Sequence, residues 1–547
     1  MSNTLLICDK PNKYSKEYNF VAYWDSFNES NGAYSLPKMV ETDSEYFRKK
    51  YLDWLYKIGR EKLNTKSVID HLMIRADFSF WWMTLIIEKS QWKSISLYKT
   101  FRLLALERLL EKQDIDKIKI EITDIRVSKS IIQWCLDNNV RYKVSPFKNP
   151  FISFPIINFL SHFFSAIILF LKYLNDRWPI RNSKHKLNES SSNNISFISY
   201  FFNLDSDSSS KGVFQTKYWA SLHNYLTESC KSIQINWMHI FLHNDVTPTA
   251  KKATILVKKF NNNSSSLQSH ILLDSAIGWS VINGVIKDYL KLVYMGFKLR
   301  KIKNHFKLSN TSINFWPVVE DDWKSSLFGK TAIMNCFFLN LFENNFKELP
   351  TQKKGFYILE NQAWERSLIY AWKKYGHGQL IGIQHTMVGF WDLRHFYSPK
   401  EYVMNDKWHL PVPDKVALNG SAAVNQYLSA NFPETKIVHA EALRFLYLDR
   451  LELNTKNIKP SKKIRLLVLG NYQYEVTNKM LKLLSVLPNK LLNDLEIILK
   501  PYPGTSYELK KWPNLTMKII NEPIEKLIDK YDIAFSSSSS AAAIDSY

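Results

Sequence analysis

The sequence predicts an α/β protein: two βα-wound parallel sheets in tandem, preceded by an extra N-terminal α/β region. Three observations lead there. From residue 195 onward, short β-branched and aromatic runs alternate with helix-length amphipathic runs, as in a parallel sheet covered on both faces. The alternation restarts after a basic connector at 452–463. At 547 residues and 45% apolar content, the chain is too long for one core and too apolar for global disorder.

The elements follow in chain order. Within 1–150, "KIKIEITD" (117–124) and "VRYKVSP" (140–146) read as strands around the helix "RVSKSIIQWCLDNN" (126–139). The aromatic stretch "FSFWWMTLIIEKSQWKS" (78–94) has no readable periodicity. A polar linker, "NSKHKLNESSSNN", occupies 182–194, so 1–150 is expected as one domain and 151–194 as a connecting segment. From 195 to 450 the strands are "ISFISYF", "SIQINWMHIFL", "GFYILEN", "QLIGIQHT", "KVALNG" and "KIVHAE"; helices fall at 216–230, 274–306, 321–347 and 363–376. From 463 to 547 the strands are "IRLLVLG", "LEIILKPYPG", "LTMKIIN" and "IAFSSSS", with helices "TNKMLKLLSVLP" and "PIEKLIDKYD". The last domain shows four strands before the sequence stops inside an expected helix, which predicts an incomplete domain.

The segment "FISFPIINFLSHFFSAIILFL" (151–171) carries no formal charge. As a helix its length of about 31 Å suffices for a membrane crossing. Asn158, Ser161, His162, Ser165 and Lys172 fall on one helical face, however, and Lys148, Lys172, Arg177, Arg181, Lys184 and Lys186 flank it. A thin polar stripe with basic flanks predicts a helix lying in the bilayer interface; a buried core helix and a true crossing are the alternatives.

Composition narrows the chemistry. The net charge of +22 favours a polyanionic partner: nucleic acid, anionic lipid or a phosphorylated substrate. A Lys- and Asn-rich compositional bias is the simpler explanation of the same excess. Only 15 glycines occur, and neither GxGxxG nor GxxxxGK[ST] is present, which argues against dinucleotide folds and P-loop NTPases. The four cysteines are scattered, without a CxxC or a Cys/His pairing, as in a reducing compartment without zinc. The start "MSNTLLICDKPNKY" lacks a signal-peptide layout, so a cytoplasmic protein is expected.

The ending "IAFSSSSSAAAIDSY" puts five serines, Ser536 to Ser540, between a strand and an Ala-rich helix start. Such a run can be a disordered linker. Beyond the carboxyl end of a parallel strand it also offers hydroxyls and N–H groups at a helix N-terminus, a phosphate cradle. Two strands earlier, "LKPYPG" sets Lys500 and Tyr502 in a proline-stiffened turn, with Lys500 ready to pair with phosphate.

In these residues the tail resembles the C-terminal domain of GT-B glycosyltransferases that build bacterial surface polysaccharide (capsule or O-antigen), including those using CMP-activated sialic-acid-like or Kdo sugars. In that group, K-x-H-P after a strand and a later Ser/Thr-rich loop grip the nucleotide phosphate. Here the first pattern is "KPYP", with Tyr502 where His is expected; tyrosine donates a hydrogen bond but carries no positive charge near neutral pH. "YILENQAWERSLIYAWKK" and "IGIQHTMVGFWDLRH" are similar to the group's E-x-Q-x-x-E stretch and its strand ending in Gln-His, and 78–94 resembles its extra N-terminal region. The resemblance implies two Rossmann-like domains facing a cleft, a nucleotide-sugar as co-substrate, no cofactor, and a lipid-linked glycan acceptor at the anionic inner face of the cell membrane. It implies no nucleic-acid partner.

Role by role, Lys500, Tyr502 and Ser536, Ser537, Ser538, Ser539 and Ser540 are the expected nucleotide-phosphate ligands. Strand-end residues Glu360 and His385, with Glu365 behind, are candidate acid/base groups, although Glu365 also suits a first-turn helix carboxylate and His385 a structural histidine. Gln362 is a candidate acceptor contact. Arg444 suits an anionic sugar carboxylate, and Asp392 and His395 are further candidates. Asp205 and Asp207 form an isolated DxD triplet in a polar loop, a weak metal signature. Two rival functions remain: a polyol-phosphate transferase using a CDP-glycerol-type donor, and a non-enzymatic nucleic-acid-binding protein, the latter without any recognisable binding motif.

Overall fold

The computed structural model describes residues 1–547 except 1–2, 12–16, 30–31, 146–154, 182, 184–193, 220–221, 230–232, 264–267, 310, 403–407, 447, 449–462, 472, 503–504, 506, 523, 528–529, 538–541 and 547. The chain forms two compact units. The first comprises Met1–Lys217, His223–Gln384 and Phe390–Ala440; the second comprises Tyr218–Leu222, His385–Gly389 and Glu441–Tyr547.

The first unit holds two parallel sheets. Strands β1 (Thr4–Cys8), β2 (Phe20–Tyr23), β3 (Tyr34–Ser35), β4 (Lys117–Glu121) and β5 (Arg141–Val144) form a five-stranded sheet in the order β3-β2-β1-β4-β5. Helices α1 (Ser44–Arg60), α2 (Ser96–Lys112) and α3 (Ile125–Asp137) belong to the same region. Asp124 caps α3, accepting from the N–H groups of Arg126 and Val127 at 2.9 and 3.2 Å. Most of the stretch 78–94 is core: Phe80–Met83 form a buried 3₁₀ turn followed by the one-turn helix Leu85–Glu88, and only Trp92 and Lys93, near its end, are exposed.

Next come α4 (Pro155–Arg177) and the strands of a seven-stranded sheet: β6 (Ile195–Phe201), β7 (Ile235–Phe241), β8 (Gln268–Leu272), β9 (Lys354–Leu359), β10 (Gln379–Gln384), β11 (Lys415–Leu418) and β12 (Ile437–His439). Their order is β8-β7-β6-β9-β10-β11-β12, all parallel. Helices α5 (Ala250–Asn263), α6 (Trp279–Lys298), α7 (Trp316–Phe328), α8 (Lys330–Glu348) and α9 (Ala363–Lys374) accompany it. Strand β8 went unread because its apolar run is only a few residues long. The helix expected over 216–230 appears among the described residues as Leu222–Ser229.

The single helix expected over 321–347 is two, α7 and α8, turned at Gly329. A Cβ there would sit 2.9 Å from Ser325 Cα and 3.0 Å from His162 Nδ1, so only glycine fits the corner. Helix α7 packs on α2 and α3, and α8 on α9. One helical layer thus serves both sheets, and 1–150 joins 195–440 in one unit where separate domains were expected. This explains why α8 is buried nearly all round, its buried residues running from Ala332 to Phe346 and including Asn335, Asn340 and Glu343.

Helix α4 departs from its expected orientation. Ser161 and Lys172 face solvent, but His162 is half-buried beside Gly329, and Ser165 turns its hydroxyl back to the His162 carbonyl at 2.7 Å. Its inner face packs through Phe159 on Phe328 and through Phe170 and Tyr173 on Phe337, with centroids 5.1, 5.5 and 4.4 Å apart. No helix among the described residues is long and apolar enough to cross a membrane.

In the second unit, β13 (Ile464–Leu469), β14 (Leu495–Lys500), β15 (Met517–Ile519) and β16 (Ile533–Ser536) form a parallel sheet in the order β15-β14-β13-β16. Period-two alternation is visible in its packing. Leu466 and Val468 join Met480 and Leu481 of α10 (Tyr474–Ser485) on one face, and Leu467 and Leu469 join Leu527 on the other. The helix expected at 523–532 appears among the described residues as the 3₁₀ turn Ile524–Lys526.

An ion triad ties the N-terminal region to the helical layer. Arg75 donates to both oxygens of Asp288 in α6 at 2.7 and 2.8 Å, and to Glu343 in α8 at 2.7 Å. Burial alone would raise the Glu343 carboxyl, but Arg75 and Lys374 outweigh it and hold it below its ordinary value. Arg75→Met leaves two buried carboxylates without their main partner, and the expected loss is about 3–5 kcal/mol. Urea unfolding measures it; a loss under about 1 kcal/mol would mean that solvent screens the triad.

Candidate functional site

Strand order locates the crevices. In each of the three larger, parallel sheets the first strand in sequence is followed by two strands laid to one side, and the chain then crosses to the other side. The connections at that point leave in opposite directions, so a crevice opens beyond the carboxyl ends of the two adjoining strands. In the seven-stranded sheet those strands are β6 and β9.

Tyr200 near the end of β6 and Glu360 just past β9 meet at this crevice. The Tyr200 hydroxyl donates to Glu360 Oε2 at 3.3 Å and accepts from Trp364 Nε1 at 3.0 Å and Gln362 Nε2 at 3.2 Å. The Gln362 amide also donates to Glu360 Oε2. Lys93 donates to Gln362 Oε1 at 3.1 Å while pairing with buried Glu88 at 2.6 Å. Glu360 is half-buried, its carboxylate held by tyrosine and glutamine donors. Such a group can orient a hydroxyl or accept its proton.

Glu365 has a different part. It is fully buried, and its Oε1 accepts from the backbone N–H groups of Gln362 at 2.8 Å and Glu360 at 3.0 Å. Gln362 and Glu365 form a capping box that fixes the turn presenting Glu360. Burial raises the Glu365 carboxyl to about 8, against the lowering effects of the Gln362 N–H and the Arg366 charge. With Oε1 accepting from two backbone N–H groups, Glu365 holds the turn that presents Glu360.

Behind this turn lies a second polar layer. Asn361 adopts φ 55°, a left-handed conformation that asparagine tolerates. Its amide donates to His395 Nδ1 at 3.1 Å, which puts the ring proton on Nε2, 3.7 Å from Asp392. Asp392 is clamped by Arg394 at 2.7 and 2.8 Å; burial alone would raise its carboxyl, but Arg394 outweighs burial and lowers it. Arg366 reaches Asn361 Oδ1 at 3.0 Å and Tyr397 at 2.7 Å. Lys89 is buried over the Tyr397 ring, and burial, then the charge of Arg366, drive its ammonium well below the ordinary lysine value. Tyr200, Lys93, Asn361 and Lys89 escaped the sequence reading because no local pattern marks them.

In the second unit the switch point lies between β13 and β16. Leu469 is in register with both Lys500 and Ser536, so these two residues end the strands on either side of β13, on one rim. Gly470 donates its N–H to the Lys500 carbonyl at 2.8 Å, and an added Cβ would stand 3.0–3.1 Å from the backbone of Lys500, Pro501 and Tyr502. Buried Asn471 follows and donates from Nδ2 to Ser537 Oγ at 2.8 Å. Gly470 and Asn471 were missed; their signal was a glycine directly after a buried apolar strand. Lys500 is half-buried, and Tyr502 is exposed. Ser538, Ser539 and Ser540 lie outside the described residues, as does the side chain of Arg444, whose backbone lies in the 3₁₀ turn Leu443–Phe445. His385 belongs to this unit, where its ring meets Tyr218 edge-on at 5.2 Å.

The five-stranded sheet repeats the arrangement. Between β1 and β4 lies a cavity of about 320 Å³, lined among others by Asp9, Trp24, Lys99, Arg102 and Asp124. Lys99 pairs with Asp124 at 2.6 Å and Arg102 with Asp25, while Asp9 accepts from the Thr123 N–H at 3.0 Å. Asp205 is the N-cap of a one-turn helix, accepting from the Ser208 N–H at 2.7 Å, which accounts for half of the DxD triplet structurally. No group of three or more His, Cys, Asp or Glu among the described residues is arranged to hold a metal. No protein-family model matches the chain, and no curated protein matches it.

A carboxyl raised in the folded state keeps its proton after the unfolded chain has released it. Glu365 therefore makes the native state lose stability as pH rises from about 4.5 through about 8. Glu365→Gln keeps an acceptor for both N–H groups and lacks this slope. Melting temperatures across that range should shift in favour of the variant as pH rises; a pH-independent difference would contradict a buried neutral carboxyl. In the second unit, Gly470→Ala should cost about 1–3 kcal/mol in chemical denaturation, since the opposing atoms are backbone. A neutral substitution would show that the loop has room to retreat.

Proposed function

We propose that the chain is a metal-independent GT-B-type glycosyltransferase, moving a sugar from a nucleotide donor, a CMP-linked ulosonic acid, to a lipid-linked surface glycan at the cytoplasmic membrane face. The observation that carries this reading is the gathering of Lys500, Ser536 and Ser537 on one carboxyl rim, with Asn471 bonded to Ser537 at the switch point. Charge that develops on a leaving phosphate needs hydroxyls, N–H groups and a cation already in place. That rim offers two hydroxyls and a lysine.

On the acceptor side, Glu360 takes the hydroxyl proton or orients it, with Tyr200 and Gln362 fixing the carboxylate. Glu365 holds the turn beneath. His385 in this reading carries a second proton, and Arg444 meets the sugar carboxylate. The basic surplus of the chain suits both an anionic donor and an anionic membrane.

Titration of the full chain with CMP and CMP-sugars, followed by turnover with a lipid-linked acceptor, tests the reading. Lys500→Ala and Ser537→Ala should each weaken donor binding about tenfold or more, the loss of one charge-assisted contact, and leave acceptor binding unchanged. Equal donor affinity in both variants would discard the phosphate assignment. Release of CMP from CDP-glycerol, with none from CMP-sugars, would replace the sugar donor by a polyol phosphate.

A further inference from the structure

Two helices of the first unit turn apolar faces to solvent. In α4, Leu160, Phe164, Ile167, Ile168 and Leu171 are all exposed, Ile168 by 65%. At about 100° per residue they fall within roughly a quarter to a third of the helix circumference. In α6 the exposed residues are Trp279, Ile286, Leu290, Tyr294 and Phe297, again confined to one stripe. Single exposed apolar residues are ordinary, but two such stripes on adjoining helices are not.

The stripes form one surface. Phe159 meets Phe297 at 5.2 Å, Phe163 stacks on Tyr289 at 6.1 Å, and Tyr173 donates to Asp274, just ahead of α6. Residue numbers rise along α4 as they fall along α6, so the helices are antiparallel neighbours. In each helix the exposed stripe is rotated in the same helical sense from the face that meets the other. Antiparallel neighbours with that relation turn their stripes to the same side, and Phe297, exposed yet touching Phe159, joins them.

Charge identifies what covers the surface. Exposed Lys287 and Lys298 edge the α6 stripe, with Lys298 Nζ 4.5 Å from the Tyr294 ring centroid, and exposed Arg300, Lys301 and Lys303 follow the helix. The acids of the two helices are withdrawn: Asp288 is buried against Arg75, and Asp176 is half-buried against His243 at 2.9 Å. At the opposite end, exposed Trp178 and Trp279 close the two helices, with Arg181 stacked on Trp178 at 3.8 Å.

We infer that the α4–α6 surface docks the protein on an anionic lipid bilayer, with both helices lying in the plane of the interface. Apolar stripes enter the acyl boundary, lysines reach back to anionic headgroups, and the tryptophans sit at headgroup level. A second copy is a poor occupant, because a two-fold interface would set these basic edges against each other. The inference stands on these helices alone and is independent of the transferase reading.

Sedimentation of the full chain with phosphatidylcholine vesicles, with and without phosphatidylglycerol, tests it in the absence of any donor or acceptor. Binding should require the anionic lipid and weaken as salt rises. The exposed double substitution Phe164→Glu/Leu290→Glu should weaken it at least tenfold with an unchanged melting temperature, and Lys287→Ala/Lys298→Ala should lessen the phosphatidylglycerol dependence. Undiminished binding by the glutamate variant, or no binding by the wild-type chain, overturns the inference. So does equal binding to both vesicle types, or a dimer in solution that the glutamate variant dissociates. Failure here would leave the donor-binding predictions for Lys500 and Ser537 untouched.

Discussion

The right-handed crossover governs this protein. A parallel strand can be followed by another only through a connection that crosses one face of the sheet, and the hand of that crossing is nearly fixed. A chain that adds strands to one side only lays every crossover on the same face, so covering the other face requires a reversal, and the reversal leaves a crevice at the carboxyl rim. The three larger sheets among the described residues all make that reversal beside their first strand. Tyr200 with Glu360, Asn471 with Ser537, and the cavity by Asp9 and Asp124 are the three results.

The crevice beside β9 shows what polar groups cost once they leave water. Glu365, Arg366 and Lys89 are all buried, and each is managed differently. Glu365 stays neutral while capping a helix, Arg366 is wrapped by Asn361, Tyr397 and the Pro411 carbonyl, and Lys89 lies on an aromatic ring with its proton weakly held. Buried polar groups demand partners of fixed geometry. The network therefore fixes the turn that carries Glu360, as the proton-accepting role proposed for that carboxylate would require.

Helices α7 and α8 meet a different demand, since they cover α2 and α3 on one side and α9 on the other. Being shared, α8 is buried on nearly every face, and the Arg75 triad ties it and α6 to the N-terminal region. Helices α4 and α6 lie outside this layer and are covered on one face only. Their outer faces kept their hydrophobic residues, so the apolar character of 151–171 reflects both its inner packing and its exposed stripe.

The sequence by itself determined the α/β class, most strands and the main helices, because period-two and helical patterns are local and burial enforces them. It also placed Lys500 and Ser536 just past strands, since a strand's end is marked by its own turn residues. It did not reveal that 1–150 shares a unit with 195–440, that Gly329 splits a helix, or that Glu365 is neutral. Nor did it show that α6 lies beside α4 with its exposed stripe turned the same way. Each of these depends on atoms far apart in the chain: His162 against Gly329, Arg75 against Asp288 and Glu343, Phe159 against Phe297. Desolvation and side-chain contact are set by neighbours in space, so only the tertiary structure decided them.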